Sequence, residues 1–147
     1  MPSLETDLQT EPHPPPTPPG QTVQTVAADG PDLTIAVHRH DDQHIVVVDV
    51  TGDLDALTAP RLLDTLGALL RERSAVLVVD LTAVAFMGSA GISVLVATHQ
   101  HAGPHTHLRV VAATRVILRP LQVTGVDTVL NVYPSRVAAI AWRANRA

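Results

Sequence analysis

From residue 45 onward, short runs of β-branched residues alternate with helical patterns, and this alternation constrains the fold more than any other feature of the chain. Ile45 to Val50 is a β-branched run, the signature of a strand, and Gly52 is expected to end it. Leu62, Leu66, Leu69 and Leu70 then fall at i, i+4, i+7 and i+8, which gives a helix one apolar face. Thr58 is placed to cap that helix, with Pro60 in its first turn, where a missing N–H costs little. Val76 to Val79 is a short continuous apolar run of the kind covered on both faces of a parallel sheet, and Asp80 is expected to close it. A second helix begins near Ser89, with Ile92, Leu95 and Val96 inward, and fades around His101 before Gly103 and Pro104. Leu108 to Ala112 reads as a further strand. Thr114 opens a third helix with Ile117, Leu118 and Leu121, in which Pro120 predicts a kink or a late start. A short strand near Val129 to Val132 and a last helix from Ser135 to Arg143 follow.

Upstream, Leu33, Ile35 and Val37 alternate with polar neighbours, a half-buried strand. The turn at His40, Asp41 and Asp42 joins it to the run at 45–50 as an antiparallel hairpin. The order β-β-α-β-α-β-α-β-α implies an α/β domain. Its sheet is mixed, with about five strands, parallel apart from an antiparallel edge strand, packed with about four helices through right-handed crossovers.

The chain of 147 residues is long enough for one such domain, expected over residues 31–147. Residues 1–30 differ: they hold seven of the twelve prolines, including Pro14, Pro15, Pro16, Pro18 and Pro19, and the acids Glu5, Asp7, Glu11 and Asp29. That composition has too little apolar surface to fold, so a disordered, acidic, Pro-rich tail is expected. All ten basic residues are Arg and lie after position 30, where ten acids balance them. A balanced domain has no electrostatic footprint for nucleic acid or an anionic membrane. Phe86, Tyr133 and Trp142 are the only aromatic residues, too few for base-stacking platforms. Cysteine is absent, which excludes disulfides, thiol catalysis and thiolate metal sites. Neither a signal peptide nor an apolar run long enough to span a bilayer is legible, so a cytoplasmic protein is expected.

Two segments are candidates for chemistry. Phe86-Met87-Gly88-Ser89-Ala90-Gly91-Ile92 stands between a strand and a helix, where free N–H groups and the helix dipole favour an anion. A phosphate on Ser89 suits that end; equally, serine is a preferred helix cap. His99, His101, His105 and His107 form two His-x-His pairs, but no Asp, Glu or Cys beside them completes a metal site. Asp53 and Asp55 resemble paired carboxylates, yet turn acids commonly satisfy backbone N–H groups. Met87 stands where a nucleophile elbow needs glycine, and a chain without lysine has no phosphate loop. No catalytic residue, metal or cofactor is therefore expected.

Taken in order, several segments resemble the anti-sigma factor antagonists of the STAS family. They are Thr51-Gly52-Asp53-Leu54-Asp55, Thr58-Ala59-Pro60, Val78-Val79-Asp80-Leu81, Phe86 to Gly91, and Leu121 to Asp127 with Thr124-Gly125 inside it. The resemblance covers roughly residues 31–142 and implies a STAS domain. It implies a partner, an anti-sigma factor that is a serine kinase of the histidine-kinase-like ATPase fold. The unphosphorylated antagonist binds this partner and frees the sigma factor, and phosphorylation at the position of Ser89 ends the binding. A phosphatase acting on phosphorylated Ser89 would reset the switch. By the same resemblance the partner surface includes Asp53, Asp55, Thr58, Gly88, Ser89, Ala90, Gly91 and Ile92. Two positions depart from the family pattern: Gly88 stands where many members have Asp, and Ala90 where many have Ser or Thr. Ala90 removes a second acceptor, and Gly88 removes a carboxylate beside the first. Two further readings stay open, a STAS scaffold with another partner and a small α/β anion-binding protein or enzyme using the same helix end.

Overall fold

Alternation of side chains along a strand sorts each apolar run onto two faces of a sheet. The computed structural model describes residues 21–25, 32–40 and 44–141 of the protein. In chain order the strands are β1 (Gln21–Thr25), β2 (Leu33–His40), β3 (Ile45–Leu54), β4 (Val76–Met87), β5 (His107–Val111) and β6 (Asn131–Tyr133). Among the described residues the helices are α1 (Ala59–Leu70), α2 (Ser89–Ala102), α3 (Arg115–Val123) and α4 (Arg136–Ala141), with a 3₁₀ turn at Val126–Thr128. The strands form a single sheet in sequence order, β1 to β6. β1–β2 and β2–β3 are antiparallel, while β3–β4, β4–β5 and β5–β6 are parallel.

On one face, Val46, Val48, Val50, Leu77, Val79 and Val110 join Leu62 and Leu66 of α1, Leu95 of α2 and Ile117 and Leu121 of α3 in the main core. On the other, Ile45, Val47, Val76, Val78 and Val111 meet Ala139 of α4. The continuous Val76–Val79 run is thus buried from both sides, as its lack of polar residues implies. Arg136 of α4 ties that helix to the sheet: its Nε donates to Asp80 Oδ2 at 2.8 Å, and its Nη2 lies 3.1 Å from Asp49 Oδ2. Buried Arg109 donates to the Ala139 carbonyl at 2.6 Å and stacks over Tyr133, 5.7 Å from the ring centroid.

The mixed sheet and its four helices match the expected class, and β2 to β6 are the five strands anticipated, but several local expectations need correction. Residues 21–25, assigned to the tail, pair with β2 as an additional strand, occupying an edge whose backbone groups otherwise lack partners. The rest of that tail lies outside the described residues, as do Asp41, Asp42 and the positions Trp142 and Arg143 that the sequence assigns to the last helix. Gly52 does not end β3. Its φ of 114° places it where a Cβ would run into the Asp32 carbonyl, and the strand bulges there and continues to Leu54. Nor does Asp80 close β4, which runs on to Met87 because Thr82 and Arg136 satisfy the carboxylate inside the sheet. α3 begins at Arg115 without a late start, and Pro120 lies within it. β6 sits two residues later than expected at its start, because the Gly125–Leu130 segment is held in tight turns by Thr128, Val129 and Leu130 N–H bonds. No helix of the described residues is long and apolar enough to cross a membrane.

Candidate functional site

The parallel register of β3 and β4 brings the two candidate segments together. Asp53 pairs with Phe86 and Leu54 with Met87, and the Gly88 N–H then donates to the Leu54 carbonyl at 2.9 Å. The turn leading into α1 and the turn leading into α2 therefore share one end of the sheet. Gly91 makes the close approach possible: a Cβ there would lie 2.9 Å from Met87 Cγ and 3.0 Å from Leu54 Cβ.

The first turn is built around Asp55. Its Oδ1 accepts the N–H groups of Leu57 at 2.9 Å and Thr58 at 3.0 Å, an Asx turn. The hydrogen bond from Thr58 N–H, with that from Leu57, outweighs partial desolvation and holds the Asp55 carboxyl below the usual range, so it is ionised at neutral pH. Thr58 is fully buried and does not cap α1 with its side chain, as the sequence suggests. Its hydroxyl instead donates to the Asp53 carbonyl at 2.7 Å and accepts the Asp55 N–H at 3.0 Å. The first helical N–H groups find backbone partners instead: Ala59 donates to the Asp55 carbonyl at 2.9 Å and Arg61 to the Thr58 carbonyl at 3.0 Å, while Pro60 has no N–H to satisfy.

In the second turn Gly88 is the N-cap, with extended backbone, and Ser89 is the first helical residue. Ser89 is thus not the cap that its residue type suggests. Its side chain is exposed, and it makes no hydrogen bond among the described residues. The Gly88 carbonyl accepts Gly91 and Ile92 N–H groups at 3.0 and 3.3 Å, leaving the earliest amides of α2 directed at the Ser89 end.

Of the other residues expected on this surface, Asp53, Gly88, Ala90 and Ile92 are half-buried and Gly91 is buried. Ala90 and Ile92 pack against the core, so with Gly91 and Thr58 they shape the surface from beneath. Sequence reasoning passed over two side chains that stand on it. Phe86 is 51% exposed, with its ring beside Gly88, and Leu57 is 83% exposed in the Asp55 turn. The available signal is that Phe86 is the sole phenylalanine of an aromatic-poor chain, three residues before the candidate serine.

The histidines lie at the opposite end of α2. His101 Nδ1 is 2.7 Å from the Ala97 carbonyl, and His105 and His107 are exposed. Among the described residues, no group of three or more His, Cys, Asp or Glu is arranged to hold a metal.

Comparison with known proteins places this geometry. Residues 35–139 match the model of the STAS domain. An anti-sigma-F factor antagonist, RsfB of Mycobacterium tuberculosis, is 33% identical over 101 residues, 69% of this chain and 81% of that protein. An anti-sigma-B factor antagonist of Listeria monocytogenes is 26% identical over 102 residues, 69% of this chain and 89% of that protein. The crystal structure of an anti-sigma factor antagonist from Mycobacterium paratuberculosis superimposes with a TM-score of 0.69 at 34% identity, covering 89% of this chain and 99% of the other. The domain match and these similarities, over the same β3–α1 and β4–α2 turns described above, establish that the chain belongs to the STAS domain family, alongside relatives named anti-sigma factor antagonists.

Proposed function

We propose that this protein is an anti-sigma factor antagonist that binds a serine-kinase anti-sigma factor when unphosphorylated and lets go when Ser89 is phosphorylated. The observation that carries the reading is the exposed Ser89 hydroxyl, without a partner among the described residues, at the first residue of α2. The names of its relatives support the anti-sigma factor as partner. A hydroxyl engaged as a cap would have to be released before reacting; this one does not. Phe86, with its exposed ring beside Gly88, stands three residues before Ser89, and aromatic side chains are enriched in protein interfaces. The role is binding rather than catalysis, in the cytoplasm, without direct contact with nucleic acid or membrane. A phosphatase acting on phosphorylated Ser89 restores binding.

The electrostatics give the switch its size. Phosphate adds about −1.5 to −2 charges at neutral pH. The N-terminal end of α2 tolerates that charge, so the fold survives while the docking surface changes. A partner carboxylate about 4 Å away at an effective dielectric of about 20 raises the energy by up to about 4 kcal/mol per unit charge. Half of that weakens binding about 30-fold. The test is incubation with the cognate kinase and ATP, mass spectrometry to locate the phosphate, and calorimetry of both forms against the kinase. Modification at Ser89 with a matching loss of affinity is expected. Modification elsewhere, or equal affinity of the two forms, overturns the mechanism.

A further inference from the structure

A groove runs between the C-terminal halves of α1 and α2, about 18 Å along the helix axis from Ser89. It comprises two contiguous hollows of about 600 and 260 Å³ that share Gly67, Leu70 and His101, a size in the range of small-molecule sites. The smaller hollow is apolar, lined by Leu63, Gly67 and Leu70 with Thr98. The larger opens among Arg71, Arg73, His101 and His105, with no acidic residue in its lining.

Two residues of this groove oppose the stability of the fold. Gly67 stands in the middle of α1, where glycine is unfavourable, yet a Cβ there would meet nothing within 4 Å. Packing therefore leaves room for a Cβ at this position, and the glycine keeps the hollow open. Arg73 has a φ of 59°, the left-handed conformation at a helix end that glycine adopts without strain. A non-glycine residue held there points to a role for its side chain. Arginines are favoured at helix C-termini by the dipole, but that explains neither the left-handed backbone at Arg73 nor the glycine at 67. Neither Arg71 nor Arg73 pairs with a carboxylate among the described residues. Glu72, between them, is bound to Arg39 with Nη2 to Oε2 at 2.8 Å and does not line the groove.

We infer that this groove binds a small amphipathic anion, with a carboxylate or phosphate head on Arg71 and Arg73 and a short apolar tail over Gly67 between Leu63 and Leu70. The inference is independent of the role of Ser89. Arginine provides the planar donors that such heads favour, and Leu63 and Leu70 provide an apolar wall for the tail.

The test titrates the full-length protein with octanoate and with octyl phosphate, following amide shifts by NMR and affinity by calorimetry. Octanol and inorganic phosphate are the controls. Binding of either amphiphile at millimolar concentration or below, with shifts at Gly67, Leu70 and Arg73, is expected; the tighter of the two identifies the head group. Gly67→Leu fills the tail end, and Arg73→Gly removes a head contact. Each should weaken binding about tenfold or more while raising Tm, since each relieves a local cost. A binding loss through misfolding would lower Tm instead, and if one variant fails to fold the other carries the test. The inference is overturned if neither amphiphile binds, if octanol or phosphate alone binds as tightly, or if both variants bind like the wild type.

Discussion

Thr58 and Asp55 hold each other reciprocally: the Thr58 hydroxyl accepts the Asp55 N–H at 3.0 Å, and the Asp55 carboxylate accepts the Thr58 N–H at the same distance. The hydroxyl also donates to the Asp53 carbonyl, so one buried oxygen ties together the turn that shares its end of the sheet with the start of α2. Thr58→Val keeps the shape and removes both bonds. It leaves two backbone groups without their partner, and a loss of about 1–3 kcal/mol is expected in urea unfolding. Thr58→Ser keeps the hydroxyl and should recover most of that loss.

Gly91→Ala tests the seating of α2 on the sheet. The added methyl meets Leu54 Cβ and Met87 Cγ at or below 3.0 Å, so α2 must move or Met87 must rotate. Overpacking against a rigid neighbour exceeds the gain in helix propensity, for a net loss of about 1–2 kcal/mol. The same displacement carries Ser89 with it, and the phosphorylation rate by the cognate kinase should fall as well.

Ser89 itself should matter little to stability. Gly88 is the cap and the Ser89 side chain is unbonded among the described residues, so Ser89→Ala is expected to change stability by no more than about 0.5 kcal/mol. Ser89→Asp places a charge at the favourable end of the dipole and should be neutral or slightly stabilising, while mimicking part of the binding loss. A thermal melt of the two variants beside wild type checks both. A loss above about 1 kcal/mol in the alanine variant would mean that the hydroxyl caps the helix after all.

Asp80 gives the domain a pH dependence. Burial alone would raise its pKa, but bonds from the Thr82 hydroxyl at 2.6 Å, the Thr82 N–H and Arg136 outweigh burial and hold it below the usual carboxylate range. A folded value below the unfolded one of about 3.9 means that the contribution is fully present above that pH. It is lost as pH falls through the folded value. Asp80→Asn should cost about 1.5–3 kcal/mol at neutral pH and flatten the acid limb of the stability curve below about pH 4, measured by urea melts across pH.

Local periodicity made much of this architecture legible. Leu62, Leu66 and Leu69 occupy one face of α1, the Val76–Val79 run is buried from both sides, and the α2 boundary falls at Ser89, each as spacing and turn chemistry dictate. What spacing could not reveal depends on partners distant in the chain. Asp80 reads as a strand terminator until Arg136, 56 residues away, satisfies it inside β4. Gln21–Thr25 has no apolar pattern to announce a strand, and pairs through backbone groups offered by the free edge of β2. Residue type and period thus determined which segments become helix or strand and which serine begins α2. Only the tertiary structure decided which polar groups are satisfied by whom, because a hydrogen bond depends on distance in space and not on distance along the chain.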